Sequence, residues 1–468
     1  MDADAGQEHS LTEYVASFGA TLDYDDIPDS VMRLGMKAIL DSMGVALSGS
    51  VAAPSKIVRD YLQSLACEKA DACVIGAALR LPPRFAALAN GTAMHADDYD
   101  DTLQAETGRY GGIHPSSPVL AALLAVAEQR GIGGRELLVA FHAGVEIACR
   151  VFDATHVNHI LHGFHTSSTC AMLGAAAGVA RLSRLATEPT RIVLGLAATM
   201  SGGLMQNFGT MAKPFHSGRA AECAIVAVDL VQLGFTASNA ILETPRGFFS
   251  ALGGGCEEGR LRGKLGKPWS FVDRGIWLKP FPTGSLAHPA MTGLLQLLNG
   301  HDIKHKQVAK INVKTSQHIH ETLLHHRPKS ELEAKFSMEF CMAVLLLEHK
   351  CGLSHFSDEY VNRPDVQRAI ALVDYRGFDE VESRNRDYNI VTSFIEVVLT
   401  DGRRFSVRAD HGKGNIVDPM SEGEVAAKFR DCAQYARWPA AKTERAIDLI
   451  LHLDQLSDVR ELIACVSA

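Results

Sequence analysis

From Ser10 to about Leu252 the chain runs as one helix-period apolar segment after another, many of them crowded with Ala and Gly. Stripes spaced at three and four residues bury only against neighbouring helices, so this half is expected to be all-helical. The segments run from Phe85 to Met94, Arg135 to Val151, Ser168 to Leu182, Arg191 to Met205 and Ser217 to Leu233. Ser116 or Ser117 is expected to cap a further helix that begins at Pro118 and ends at Gly131. Gly174, Ala175, Ala176, Ala177 and Gly178 let neighbouring axes approach closely. Only 7% of residues are aromatic, which also favours tight helices over a large β-sandwich.

The character changes after a stretch rich in Gly and charge, Gly253 through Gly263 and Gly266 to Pro268. Val308 to Lys314 alternates as a strand, and Phe394 to Thr400, Asp401-Gly402 and Arg403 to Arg408 predict a hairpin closed by a type I′ turn. Helical patterns at Ala287 to Leu298 and Lys335 to Leu347 make this an α+β unit, and after Pro419 the chain returns to helix at Ser421 to Cys432 and Lys442 to Leu453. A chain of 468 residues exceeds what one core usually supports. The expected fold is therefore mainly α: a large all-helical domain (1–268), a smaller α+β domain (269–418) and C-terminal helices (419–468) that return to the large domain.

Hydrophobic residues make up 47% and charged residues 21%, which is ordinary globular usage and excludes a disordered or collagenous chain. The net charge of −8 argues against a nucleic-acid partner, and an anionic ligand would need a local basic pocket. Ten cysteines form no C-x-x-C pair, so neither a disulfide framework nor a zinc ribbon is expected. Met1 to Gly6 lacks the pattern of a signal peptide and no apolar run is long enough to span a bilayer. A cytoplasmic protein with no membrane partner is the expectation.

The densest polar cluster is His95-Ala96-Asp97-Asp98-Tyr99-Asp100-Asp101-Thr102. Carboxylates this close repel, so some must be paired, coordinated or raised in pKa unless the run is a solvated helix end. Its spacing is similar to the magnesium-binding motif of all-helical terpenoid synthases, but no second such motif follows and few aromatics are present to line a carbocation pocket. His114 and His165 each precede a Ser-rich helix start, where N–H groups favour a bound carboxylate and a neutral imidazole. The alternative for each is a loop histidine bonded to a carbonyl. His156, His159, His162 and His165 recur every three residues and read as a solvated turn rather than a metal site. Lys213, His216 and Arg219 sit just before a Gly-marked helix start and suit a polycarboxylate, with Lys279 and His288 on the other side of a cleft. No Walker A, G-x-S-x-G or credible G-x-G-x-x-G motif occurs.

Taken in order, His95 to Thr102, His114-Pro115-Ser116, Gly163-Phe164-His165, Lys213-Pro214 with His216 and Gly218, Lys279 to Pro282 with His288, and Glu333 to Ser337 resemble the MmgE/PrpD family over nearly the whole chain. That family includes 2-methylcitrate dehydratase, cis-aconitate decarboxylase and iminodisuccinate epimerase. The resemblance implies a site between a helical and an α+β domain, a homodimer, no cofactor and no metal. It also implies site roles for Asp98, Thr102, His114, His165, Lys213 and Lys279. Methylcitrate dehydratases continue His-Pro-Ser with Asp-Asn, whereas this chain has Ser117-Pro118, and a Tyr of the decarboxylase branch aligns near His320. The expected activity is proton abstraction next to a carboxylate of a small di- or polycarboxylate. Epimerisation of an iminodisuccinate-like acid leads, then dehydration, then decarboxylation; a non-catalytic helical dimer is a further alternative. His165, Lys279, His114 and Asp98 are the expected acid–base groups, and Lys213, Thr102, Arg219 and His216 the expected substrate contacts.

Overall fold

The computed structural model describes residues 10–106, 109 and 111–468. The helices Asp29–Ser50, Pro83–Ala96, Ser116–Arg130, Gly134–Ala154, Thr166–Leu182 and Ala212–Gln232 pack against one another at the centre of the larger core. Two of them are enclosed on all sides: Ser116 through Glu128 and Thr166 through Ala180 are buried without interruption, which explains why their sequences carry so little amphipathic contrast. Two short antiparallel pairs, Ala72–Cys73 with Arg80–Leu81 and Leu103–Gln104 with Gly112–Ile113, interrupt the helices.

Glycine sets the closest approaches. A Cβ on Gly174 would lie 2.3 Å from the carbonyl oxygen of Gly144 on the adjacent helix. A Cβ on Gly218 would lie 2.2 Å from the Leu88 carbonyl oxygen, and one on Gly91 would lie 2.9 Å from the Gly218 Cα. The second contact presses the Ala212–Gln232 helix onto Pro83–Ala96, and it fixes where Lys213 stands relative to the aspartate run.

The helix ends differ from expectation in two places and agree in a third. Ser116 and Ser117 lie inside the first turn of Ser116–Arg130, whose N-cap is Pro115, because their hydroxyls are drawn to Asp101 and Asp100 instead of to the helix N–H groups. Lys213 is already within the helix Ala212–Gln232 rather than ahead of it. Gly131 ends Ser116–Arg130 in the left-handed region (φ 64°), as its position suggested.

A second core gathers buried residues from Phe281 to Leu399, while the first takes residues up to Leu278 and again from Met420 onward. Leu261, Leu265 and Trp269, in or next to the Gly-rich stretch, are buried in the first core. The second core is a four-stranded sheet of β1 (Val308–Thr315), β2 (Val373–Gly377), β3 (Ser393–Leu399) and β4 (Arg404–Ala409), in the order β2-β1-β3-β4. The β1–β2 pair is parallel and the other pairs antiparallel. Helices His288–Gly300 and Met338–Glu348 pack on the sheet and on each other.

The β3–β4 hairpin is closed by a three-residue loop, Thr400-Asp401-Gly402, and not by a type I′ turn. Gly402 alone has positive φ (88°), its N–H bonds the Leu399 carbonyl at 3.0 Å, and the Asp401 carboxylate accepts from the Arg403 N–H. That side-chain bond holds Asp401 out of the left-handed region a type I′ turn requires. After Met420 the helix Glu422–Tyr435 starts with a reciprocal Ser421–Glu424 capping box and packs against Asp29–Ser50. Among the described residues no helix is long and apolar enough to cross a membrane.

Because the Gly218 contact leaves no room for a methyl group against backbone, Gly218→Ala is expected to lower stability by roughly 1–3 kcal/mol. Thermal denaturation checks this, and an unchanged melting temperature would mean that the two helices separate without cost.

Candidate active site

The helix Pro83–Ala96 ends at a buried cluster rather than in solvent. Asp97 is its C-cap and Asp98 takes the left-handed conformation (φ 51°), which turns the chain sharply and aims successive carboxylates in different directions. All four are buried and each has its own partners. Asp97 accepts from Ser48 Oγ at 2.6 Å and faces Lys335 Nζ at 3.6 Å. Asp100 accepts from His95 Nδ1 at 2.9 Å and from Ser117, while Asp101 takes the hydroxyl and backbone N–H of Ser116. The solvated-end alternative is thereby overturned.

Asp98 carries the centre. Its Oδ1 stands 2.6 Å from Lys213 Nζ and 3.1 Å from Lys279 Nζ, and Lys279 also donates to the Asp98 carbonyl at 2.8 Å. Burial opposes the charge, but the two ammonium groups outweigh it and hold the carboxyl well below the usual carboxylate range. Asp100 is likewise lowered against the cost of burial, by His95 and His114. Asp101, with no cation beside it, is pushed well up by burial. Lys213 is lowered chiefly by burial, and its ammonium lies 5.3 Å and 5.4 Å from the ring centres of Phe208 and Phe336.

The histidines of the cavity are held in their neutral form. His114 Nδ1 lies 2.8 Å from the Asp101 carbonyl, which can only accept, so Nδ1 carries the proton and Nε2 presents its lone pair 3.9 Å from Asp98 Oδ1. Burial, more than any neighbouring charge, depresses the pKa of His114 and of His165 well below the ordinary histidine value. His165 Nδ1 pairs with His216 Nδ1 at 3.1 Å, so one of the two donates and the other accepts. Both rings stay neutral near pH 7.

A cavity opens onto these groups. Asp98, Thr102, His114, His165 and Lys213 line it from the first core, Lys279 from the crossing segment, and Ser285, His318, Thr322 and Phe336 from the second. The site therefore sits between the two cores, and it brings together six of the eight predicted residues. His216 lies behind His165, outside the lining. Arg219 is turned to the exposed face of its helix, where it pairs with Glu222 at 2.6 Å, because it falls too far round the helix from Lys213 to share its direction. His288 is buried against Thr283 Oγ1 at 3.1 Å and also misses the lining. His159, read as part of a solvated turn, is buried and bonds Thr169 Oγ1 at 2.9 Å.

Sequence reasoning missed Gln104, Thr166, His318, Thr322 and the apolar wall of Met205, Phe208 and Leu323. Phe336, which completes that wall, lay in a motif already singled out. His320 does not line the cavity; its ring packs against Tyr375 and His326. His95, Asp98, Asp100 and His114 bring ligand atoms within 4.8 Å of one another. A cation there would compete with two ammonium groups for Asp98, and Asp97 and Asp101 face Ser48 and Ser116. The donor chemistry is that of an ion-pair network rather than of a terpenoid-synthase magnesium cluster.

A helical unit and an α+β unit enclosing a cavity lined by lysines and histidines define the class, and the family comparisons agree. Residues 13–259 match the MmgE/PrpD N-terminal domain and residues 281–455 the MmgE/PrpD C-terminal domain. The chain belongs to the MmgE/PrpD family. It is 27% identical over 462 residues to the cis-aconitate decarboxylase of Homo sapiens, covering 96% of this chain and 93% of that protein. It is 26% identical over 493 residues to the cis-aconitate decarboxylase of Aspergillus terreus, covering 99% and 97%.

Burial lowers His159 and His216 to about 4 and His288 to about 3. Unfolded, each titrates near pH 6.5. Between about pH 6.5 and 4 the unfolded chain binds protons that the folded chain refuses, so stability falls as pH falls. The melting temperature is expected to drop across that window, and less steeply in His288→Gln; equal slopes would remove His288 from the acid response.

Proposed function

We propose that this chain is an enzyme, working without a cofactor, that moves a proton at the carbon next to a carboxylate of a small di- or tricarboxylate. The observation that carries this reading is the convergence, in one cavity, of two ammonium groups sharing Asp98 with two neutral imidazoles, His114 and His165. The two ammonium groups on Asp98 offer positive charge and N–H donors to an anionic substrate, and the low-dielectric walls strengthen that attraction. The same charges stabilise the enolate-like state that forms when a carbon next to a carboxylate loses its proton.

Among the family's reactions, decarboxylation of a cis-aconitate-like acid has the support of the relatives' activity. There the bond to the departing carboxylate breaks, its electron pair becomes the new double bond, and the former alkene carbon takes a proton. Lys213, its pKa lowered by burial, is suited to give that proton while Lys279 holds a second carboxylate. The identity of His320 does not count against this chemistry, since its ring is outside the cavity lining.

Epimerisation of an iminodisuccinate-like acid is the second reading, favoured by the presence of both a proton acceptor and a proton donor in the cavity. His114 Nε2 or His165 would remove the proton on one face and a lysine ammonium would return one on the other.

Incubation with cis-aconitate and, separately, with one stereoisomer of iminodisuccinate in D2O tests both. The lyase reading expects carbon dioxide and an unsaturated dicarboxylate carrying one deuterium; the epimerase reading expects inverted product of unchanged formula with deuterium at the inverted carbon. Lys213→Ala is expected to lose roughly 2–5 kcal/mol of binding or turnover in either case. No turnover and no exchange across a polycarboxylate panel would overturn the proposal.

A further inference from the structure

The ammonium of Lys428, on the C-terminal helix Glu422–Tyr435, lies outside the cavity yet touches both chain segments that build its centre. It donates to the Tyr99 carbonyl at 2.7 Å, one residue beyond Asp98, and to the Lys279 carbonyl at 2.8 Å. It stands 2.7 Å from Oδ1 of Asp41 on the helix Asp29–Ser50, and 3.7 Å above the centre of the Tyr99 ring. The Tyr99 hydroxyl in turn donates to the Pro280 carbonyl at 3.1 Å, so the two segments are tied on both sides of the lysine.

We propose that Lys428 is a positioning residue that sets the distance between Lys279 and Asp98. The backbone of Lys279 and the backbone just after Asp98 are held at one point by a single buried cation, and their side chains meet at the site 3.1 Å apart. Tyr99 O and Lys279 O belong to irregular segments outside any helix or strand, and Lys428 satisfies both. Asp41, buried and unable to reach solvent, keeps the cation in place, although burial pushes its own pKa up. This inference rests on reading Lys279 and Asp98 as groups of the active site.

The test separates positioning from charge compensation. The double variant Lys428→Met, Asp41→Asn removes the cation together with the charge it neutralises, so no lone buried carboxylate remains. If Lys428 positions Lys279, the folded variant loses about tenfold to a hundredfold in kcat/KM. Competitive acetylation of Lys279 by acetic anhydride, followed by mass spectrometry across pH, needs no substrate, and its midpoint is expected to shift as the ammonium leaves Asp98. Wild-type kcat/KM together with an unchanged labelling midpoint would overturn the proposal and leave Lys428 only the counter-charge of Asp41. If the wild-type protein turns over no polycarboxylate, the functional reading fails and the labelling midpoint alone decides. Should the double variant not fold, Lys428→Arg, which keeps the charge but presents a planar fork, takes its place. A lowered kcat/KM with a shifted midpoint then supports positioning, and wild-type values of both overturn it.

Discussion

Asp98 Oδ1 accepts two ammonium groups from different parts of the chain, Lys213 on a helix of the first core and Lys279 on the segment that crosses to the second. A buried carboxylate alone would be driven to protonate, and buried ammonium groups alone to lose their protons. Held together they keep their charges, and they compel the two segments to stay in contact, since removing one partner of a buried pair strands the other at a cost of about 3–5 kcal/mol. The surrounding lysines repeat the device on the backbone. Lys335 donates to the carbonyl of Ala96 at 3.1 Å, Lys279 to that of Asp98 and Lys428 to that of Tyr99. The last carbonyl of the helix Pro83–Ala96, which lacks an intrahelical partner, and two carbonyls of the irregular chain just beyond it are thus met by cations from three separate segments.

The same burial that makes the ion pair strong keeps the imidazoles neutral. His114 and His165 share a cavity with two cations and are largely withdrawn from water, and both influences act against protonation. One environment thereby holds ammonium groups and unprotonated imidazoles side by side at the same pH.

Much of this was legible in the sequence, because it was written in local patterns. Four carboxylates within five residues at a helix end could not all be ionised and free, and Asp98 did turn out paired with two ammonium groups and Asp100 hydrogen-bonded to His95 and Ser117. The helical half was readable from its period, and Gly131 from its place after a long apolar helical run. What was not legible depends on direction and on distant partners. Arg219 looked equivalent to Lys213, yet six residues on, the turn of the helix has carried it round to solvent. Ser116 and Ser117 looked like caps because a cap and a carboxylate partner need the same side chain. Lys428 and its carbonyls are 329 residues from Tyr99 and 149 from Lys279, and no local pattern joins them.

The Gly91–Gly218 contact and the second-core wall divide the cavity into a part that is rigid by construction and a part that is not. Glycines pressed to backbone distance hold the surface bearing Lys213, and a larger residue at either would shift a charged group. His318, Thr322 and Leu323 stand on or beside a short helix, Gln317–Thr322, packed in a different core. Residue changes there reshape the cavity while leaving Asp98, Lys213 and the histidines where they are. A lineage built this way can remodel one wall of the cavity without disturbing the other.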